Sequence, residues 1–226
     1  MTIELQPSLG LQAAIEQRRA TRSFRPDPIP PAILEEIFRL TLQSPSGYNL
    51  QPWRFVVVQA QENKDKLREC AFDQRQVSEA PVVVICCGDR RVGDSDYIEA
   101  VIDLGRQHDA MTDAYAEVVR QQVPGLFENK PCFETMEAWT NRHTMLAVAH
   151  MLIVAKSLGV DSCPMEGFSS SQVKAAFGIP GEVDVCCLVA LGYAAEEPAK
   201  SYGGRFEISQ MFFGERFGDR LPNHTL

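Results

Sequence analysis

SPSGYNLQPWRFVVV, residues 44–58, begins as a loop and ends as a buried strand. Its first nine residues include Ser44, Pro45, Ser46, Gly47, Asn49, Gln51 and Pro52. These residue types set turns or present hydroxyl and amide groups to a partner. Then follow Trp53, Arg54, Phe55 and three valines, the aromatic and β-branched residues that suit a pleated, packed surface. A plain connection accounts for the turn formers. A flat polar ligand resting on the sheet accounts for the amides as well.

Outward from this stretch, the periodicity alternates between helix and strand. Leu11, Ala14 and Ile15 predict a helix over 9–20 that ends in a charged turn. RPDPIPP is a rigid extended connection, because proline fixes its own φ and restricts the residue before it. Pro31 opens a second helix with Ile33, Leu34, Ile37, Phe38 and Thr41 on one stripe. Downstream, 54–59 reads as a strand, 62–72 as an amphipathic helix, and PVVVICC, 81–87, as a strand buried on both faces. Residues 97–122 have helical spacing, which QQVPGLFENKP is expected to break.

A long helix is predicted over 135–158, carrying Trp139, Leu146, Ala147, Met151 and Val154. Its second half, MLAVAHMLIVAKSLG, is apolar almost all round, so burial on most sides is expected, with a subunit interface available to cover the second face. Ser169 and Gln172 stand at capping-box spacing, and Gly178 marks a helix stop. VDVCCLVALGY is the last strong strand. The tail after Glu196 is rich in Gly and aromatics without periodicity, which suggests one domain over 1–195 and an extended arm over 196–226.

Composition narrows the function. Hydrophobic residues at 45% allow a sizeable core in 226 residues. The formal charge of −8 argues against a general nucleic-acid surface, which needs excess Lys and Arg. No apolar run reaches membrane-spanning length, and the first ten residues lack the basic-then-apolar order of an export signal. Seven cysteines include the adjacent pairs Cys86-Cys87 and Cys186-Cys187 but no CxxC, so they read as small core residues in a reducing cytoplasm. GxGxxG, GxxxxGK[ST], HExxH and GxSxG are all missing. His143 and His150 lie seven apart with no ligand partner in sequence, so packing or water is expected to satisfy them.

Three clusters remain. QRRATRSF places Arg18 and Arg22 four apart, on one face of the predicted helix, where they can converge on a phosphate. The opening loop offers Ser46, Asn49 and Gln51. CPMEGF puts backbone groups in the open around Glu166, between Pro164 and Gly167.

In this order the clusters resemble the FMN-dependent nitroreductase family. RRATRSF resembles its Arg-rich phosphate motif, SPSGYNLQPWRFVVV its polar loop, DQRQVSEAPVVV the approach to the next strand, and LGVDSCPMEGF its Asp…Pro-x-Glu-Gly-Phe motif. The resemblance runs from about Gln17 to Gly192. It implies an α+β fold, with a mixed, mostly antiparallel sheet flanked by helices, in an intertwined homodimer holding FMN at the interface. It further implies that Arg18, Arg19, Ala20 and Arg22, joined by Arg205 of the tail, surround the phosphate. Ser46, Gly47, Asn49 and Gln51 would face the flavin, Asn49 across the subunit boundary. Asp73 and Gln76 would meet the pyrimidine edge and ribityl chain, and Pro164, Met165, Glu166 and Gly167 would line the ring near N5. Ala20 stands where many members have Ser, Asp73 where Asn is common, and Gln76 where some have Lys.

The activity so implied is hydride transfer from NAD(P)H through the flavin to a small acceptor, such as a nitroaromatic or quinone, in ping-pong order and without a catalytic side chain. Tyr48, Phe127, Phe133 and Trp139 are candidate walls of a substrate channel, with core packing favoured for Trp139, and 97–135 a candidate flap. Alternatives are a flavin binder without turnover or a specialised relative, such as a flavin reductase, a dehalogenase or a flavin-fragmenting enzyme.

Overall fold

The computed structural model describes residues 8–128, 135–195 and 203–220, with the backbone alone at 126–128. The chain divides into two compact units, Met1–Glu196 and Glu197–Leu226. In the first unit the helices are α1 (Leu11–Gln17), α2 (Pro31–Thr41), α3 (Gln61–Cys70), α4 (Arg75–Glu79), α5 (Ser95–Gln107), α6 (Asp113–Glu128), α7 (Met136–Ser157) and α8 (Ser170–Phe177). The strands are β1 (Phe24–Arg25), β2 (Trp53–Val58), β3 (Val82–Asp89), β4 (Asp161–Met165) and β5 (Val183–Ala194).

These strands form one sheet in the order β1-β5-β3-β2, with β4 also paired to β5, and every strand pairing is antiparallel. An isolated parallel bridge joins Ala20 to Ser162. The α+β class and the mostly antiparallel sheet thus agree with the sequence reading.

β3 explains why its sequence is an unbroken apolar run. Val83, Ile85 and Cys87 enter one core with Leu67 and Cys70 of α3, Val77 of α4 and Val173 of α8. Val82, Val84 and Cys86 enter the other with Leu34 and Ile37 of α2 and Val148, Met151 and Ala155 of α7. A strand covered on both faces has no polar side to alternate with. Burial pushes the Cys87 thiol up to about 12 and that of Cys187 to about 11, so neither is a nucleophile at neutral pH. A third core, from Ile98, Val101 and Ile102 of α5 and Ala116, Val119 and Val123 of α6, gathers around Leu50 and Trp139.

Several local expectations are corrected. α1 stops at Gln17 rather than near residue 20, because Arg18 is already extended (φ −60°, ψ 126°) and Thr21 N–H donates to the Ser162 carbonyl at 3.0 Å. Pairing with β4 outcompetes another helical turn. The helical stretch from 97 breaks at Asp109 (φ 54°) into α5 and α6, whereas Pro124 lies inside α6 without ending it. Proline removes one helical bond, and burial of Val119 and Val123 holds the helix through it. Ser169 caps α8 in position only: it makes no side-chain cap bond, so the capping box is not formed, while Gly178 does end the helix with φ 63°. α7 buries one stripe, Thr140, Thr144, Ala147, Val148, Met151 and Ala155, and leaves Leu146 47% exposed. Its second face is therefore only partly covered among the described residues.

In the second unit, α9 (Ile208–Met211) is closed by a capping box in which Glu207 N–H donates to Gln210 Oε1 at 3.1 Å. Phe213 bridges to Arg220, and the rings of Phe213 and Phe217 pack 4.7 Å apart.

Candidate active site

The loop before β2 carries the most strained backbone of the first unit. Tyr48 (φ 51°), Asn49 (φ 54°) and Gln51 (φ 45°) are all left-handed, as are Phe72 (φ 52°) and Asp73 (φ 59°). Asn adopts this conformation readily, but for Tyr and Gln it costs on the order of 1 kcal/mol each. Such strain persists only where surrounding contacts over-determine it, and it clusters at functional sites.

Those contacts are specific. Ser46 Oγ accepts from Gln51 N–H at 2.9 Å, so the Ser46 hydroxyl shapes the loop. Tyr97 OH of α5 donates to the Leu50 carbonyl at 2.8 Å and lies 3.2 Å from that of Gln51, which also accepts from Arg54 at 3.0 Å. Tyr48 OH reaches Gln122 of α6 at 3.2 Å. At the other end of the loop, Gly47 N–H donates to His143 Nε2 at 3.0 Å, and Ser44 Oγ meets His150 Nδ1 at 2.5 Å. The two histidines of α7 therefore fasten the loop rather than simply filling space. His143 stacks on Trp139 with centroids 4.1 Å apart, and a Cβ at Gly47 would stand 3.3 Å from that indole. Burial, with Arg142 assisting, pushes the His143 pKa down. Trp139 is buried in the third core, as expected.

A second group assembles at the end of β4. Burial pushes the Cys163 thiol up, while Arg22 and Arg18 pull against it, so both guanidinium charges act on this strand. They share no helical face, because the segment runs beside β4, with Thr21 N–H on the Ser162 carbonyl, and not in α1. Arg19 turns back, donating to the carbonyls of Glu16 at 2.6 Å and Arg18 at 2.8 Å. Ala20 is held by its bridge to Ser162. Met165 is buried, Pro164 half-buried, and Glu166 and Gly167 are exposed.

The Phe72–Asp73 turn joins this group. Gln74 Nε2 donates to the Gly167 carbonyl at 2.7 Å, and Gln76, buried, donates to Gln74 Oε1 at 3.0 Å. The Asp73 carboxylate is ion-paired to Arg68 at 2.7 Å, which offsets the charge that distinguishes it from Asn. Beside the turn at Glu166 lies a concavity of about 400 Å³, lined by Pro164, Glu166, Cys187 and Met145, Ala149 and Leu152 of α7.

The two groups are not side by side. β5 and β3 lie between β4 and β2, three strand spacings or about 14 Å. Arg205 belongs to the second unit, where it donates to the Gly204 carbonyl at 2.6 Å. Phe133 and the Phe127 side chain lie outside the described residues. Among the described residues, no group of three or more His, Cys, Asp or Glu could hold a metal ion, and no helix is long and apolar enough to cross a membrane.

The sequence reading passed over Gln74 and Tyr97. Gln74 sits between two named candidates and was in reach of inference; Tyr97 acts on a loop 46 residues away, with no local signal.

Comparison with known proteins is consistent across sequence and fold. A sequence model described as the nitroreductase family matches residues 15–193. An NADH dehydrogenase of Thermus thermophilus is 35% identical over 196 residues, spanning 87% of this chain and 92% of the relative. A provisionally named NAD(P)H nitroreductase of Staphylococcus haemolyticus is 32% identical, spanning 82% and 88%. Among solved structures, a protein of Exiguobacterium sibiricum assigned as a nitroreductase, in complex with FMN, superimposes with a TM-score of 0.83 at 24% identity, covering 93% of this chain and all of that one.

Proposed function

Since this chain belongs to the nitroreductase family, we propose that it is an FMN-dependent oxidoreductase that carries hydride from NADH or NADPH to a small acceptor such as a nitroaromatic compound or a quinone. The names of the relatives support the nicotinamide donor, and the FMN of the structural neighbour supports the cofactor. The observation that carries the reading is the pairing of the 18–22 segment with β4, through the Ala20–Ser162 bridge and the Thr21 N–H to Ser162 carbonyl bond, on the strand that ends in the exposed Glu166–Gly167 turn and the concavity lined by Pro164 and Glu166. A phosphate needs the arginines of that segment, and an isoalloxazine ring needs the turn and the concavity.

The residues fit that group. Arg18 and Arg22 would hold the phosphate through charge-assisted hydrogen bonds, with Arg205 added from the arm. Arg19 and Ala20 would contribute backbone, since the Arg19 side chain is turned toward α1. Asp73 and Gln76 would border the pyrimidine edge and ribityl chain, and Pro164, Met165, Glu166 and Gly167 would line the ring. FMN, when bound, supplies the hydride-accepting and hydride-donating chemistry. The chain's part is to bind, orient and exclude water, so the lack of a catalytic side chain costs nothing. One concavity serving donor and acceptor in turn implies ping-pong order.

A homodimer completes the site. Ser46, Gly47, Asn49 and Gln51 precede β2, three strands from β4, and a partner's loop would bring these residue types to the same flavin. The exposed second face of α7, with Leu146, is the surface offered for that contact, and the arm over 196–226 would wrap the partner. α5 and α6 would form a flap over the site.

The test is an absorbance spectrum of purified protein, recorded before and after anaerobic NADPH and then NADH. Flavin bands bleached by one nucleotide are expected and identify the donor. A colourless protein that takes up no added FMN overturns the proposal; bands that neither nucleotide bleaches reduce it to flavin binding without turnover.

A further inference from the structure

Resting on the FMN reading above, we propose that Gln74 is a positioning residue: it holds the Glu166–Phe168 turn so that the Gly167 N–H is presented to the flavin ring.

The Gln74 amide is fixed at both ends. Its Nε2 donates to the Gly167 carbonyl at 2.7 Å, and its Oε1 accepts from Gln76 Nε2 at 3.0 Å. Gln76 is only 7% exposed, so the relay is anchored inside the protein and sets which end of the Gln74 amide faces Gly167. The approach is close: a Cβ at Gly167 would stand 3.2 Å from Gln74 Nε2.

The backbone is bent to make this contact. Phe72 and Asp73, directly before Gln74, both have positive φ (52° and 59°). Such a pair persists only when its surroundings insist on it. Here Asp73 N–H donates to the Arg68 carbonyl at 3.1 Å, Gln74 N–H to that of Ala71 at 3.2 Å, and Ser169 N–H ties the far side of the turn to the Cys70 carbonyl at 2.8 Å.

The consequence is an oriented donor. Phe168 N–H is taken by the Glu166 carbonyl at 3.1 Å and the Gly167 carbonyl by Gln74, whereas the Gly167 N–H makes no hydrogen bond among the described residues. A backbone donor fixed before the reaction stabilises developing negative charge without reorganising, and one on a loose turn does so less well. On a flavin, such a donor favours the reduced form.

Gln74→Met keeps the length of the side chain and removes both hydrogen bonds. Gln74→Glu keeps the acceptor for Gln76 and sets a carboxylate against the Gly167 carbonyl. Three readouts apply: amide exchange over 165–168 in the flavin-free protein, the midpoint potential of bound FMN, and the rate of its reduction by nicotinamide per bound flavin. In both variants FMN is expected to stay bound, exchange to quicken, the potential to become more negative, and reduction to slow by roughly two- to tenfold, the worth of one hydrogen bond. Wild-type potential and rate in both variants overturn the proposal. A lower melting temperature with an unchanged rate per bound flavin also overturns it, by making Gln74 structural only. Wild-type protein that takes up no FMN overturns the cofactor reading instead, and this inference with it.

Discussion

Gln51 has a left-handed backbone although it is not glycine, and Ser46, Arg54 and Tyr97 hold it there by its own N–H and carbonyl. Single side chains likewise decide the other end of the loop. His143 accepts from Gly47 N–H while its Nδ1 lies 3.2 Å from the Trp139 carbonyl, a pair of contacts that only the neutral ring protonated on Nδ1 satisfies. Burial, then Arg142, keeps its folded pKa below the ordinary 6.5. As pH falls through 6.5 the unfolded chain takes the proton first, so stability present above that value is lost as pH falls toward the folded pKa. The imidazolium has no acceptor left for Gly47. Melting temperature and flavin retention are therefore expected to fall together below about pH 6.5. His143→Gln, whose amide oxygen accepts at any pH, should flatten the retention curve. Identical pH profiles for the two proteins would remove His143 from this role.

Helices α5 and α6 build a core of their own yet reach the loop through Tyr97 and Gln122, and Arg120 of α6 pairs with Glu99 of α5 at 2.5 and 2.7 Å. The α5–α6 pair is thus braced to the loop before β2. Tyr97→Phe removes the bond to the Leu50 carbonyl, about 1 kcal/mol, and leaves the apolar ring packed. Flavin dissociation should rise about fivefold in a fluorescence titration, with the far-ultraviolet circular dichroism unchanged. Unchanged affinity would mean that the loop holds without α5. These helices were legible from their spacing, but the break between them was not. Asp109 takes the left-handed position that Gly most often fills, and nothing in RQHDAMTD announces it. The same holds at α1, where the helical spacing is real but pairing with Ser162 ends it early.

At the scale of the whole molecule the candidate site is divided between two edges of one sheet, and α7 presents Leu146 on a face that the described residues cover only in part. The proposed homodimer, with a second copy docked on α7, would answer both. If that dimer forms, Leu146→Glu places a charge on its contact face without touching the core stripe, and light scattering should show a dimer for the wild type and a monomer that retains little FMN for the variant. A variant that stays dimeric and yellow would move the interface elsewhere.

Sequence by itself determined the elements and the chemistry: the doubly buried strand from PVVVICC, the long apolar helix, the family motifs and their order along the chain. These are local or additive properties, carried by periodicity and residue type. Tertiary structure alone decided which groups meet. The segment carrying Arg18 and Arg22 comes to β4 by strand pairing rather than helical phase, Gln74 grips Gly167, and Tyr97, His143 and His150 fasten a loop distant in sequence. Such contacts join residues dozens of positions apart, and a hydrogen bond between distant residues leaves no period in the chain for a reader to find.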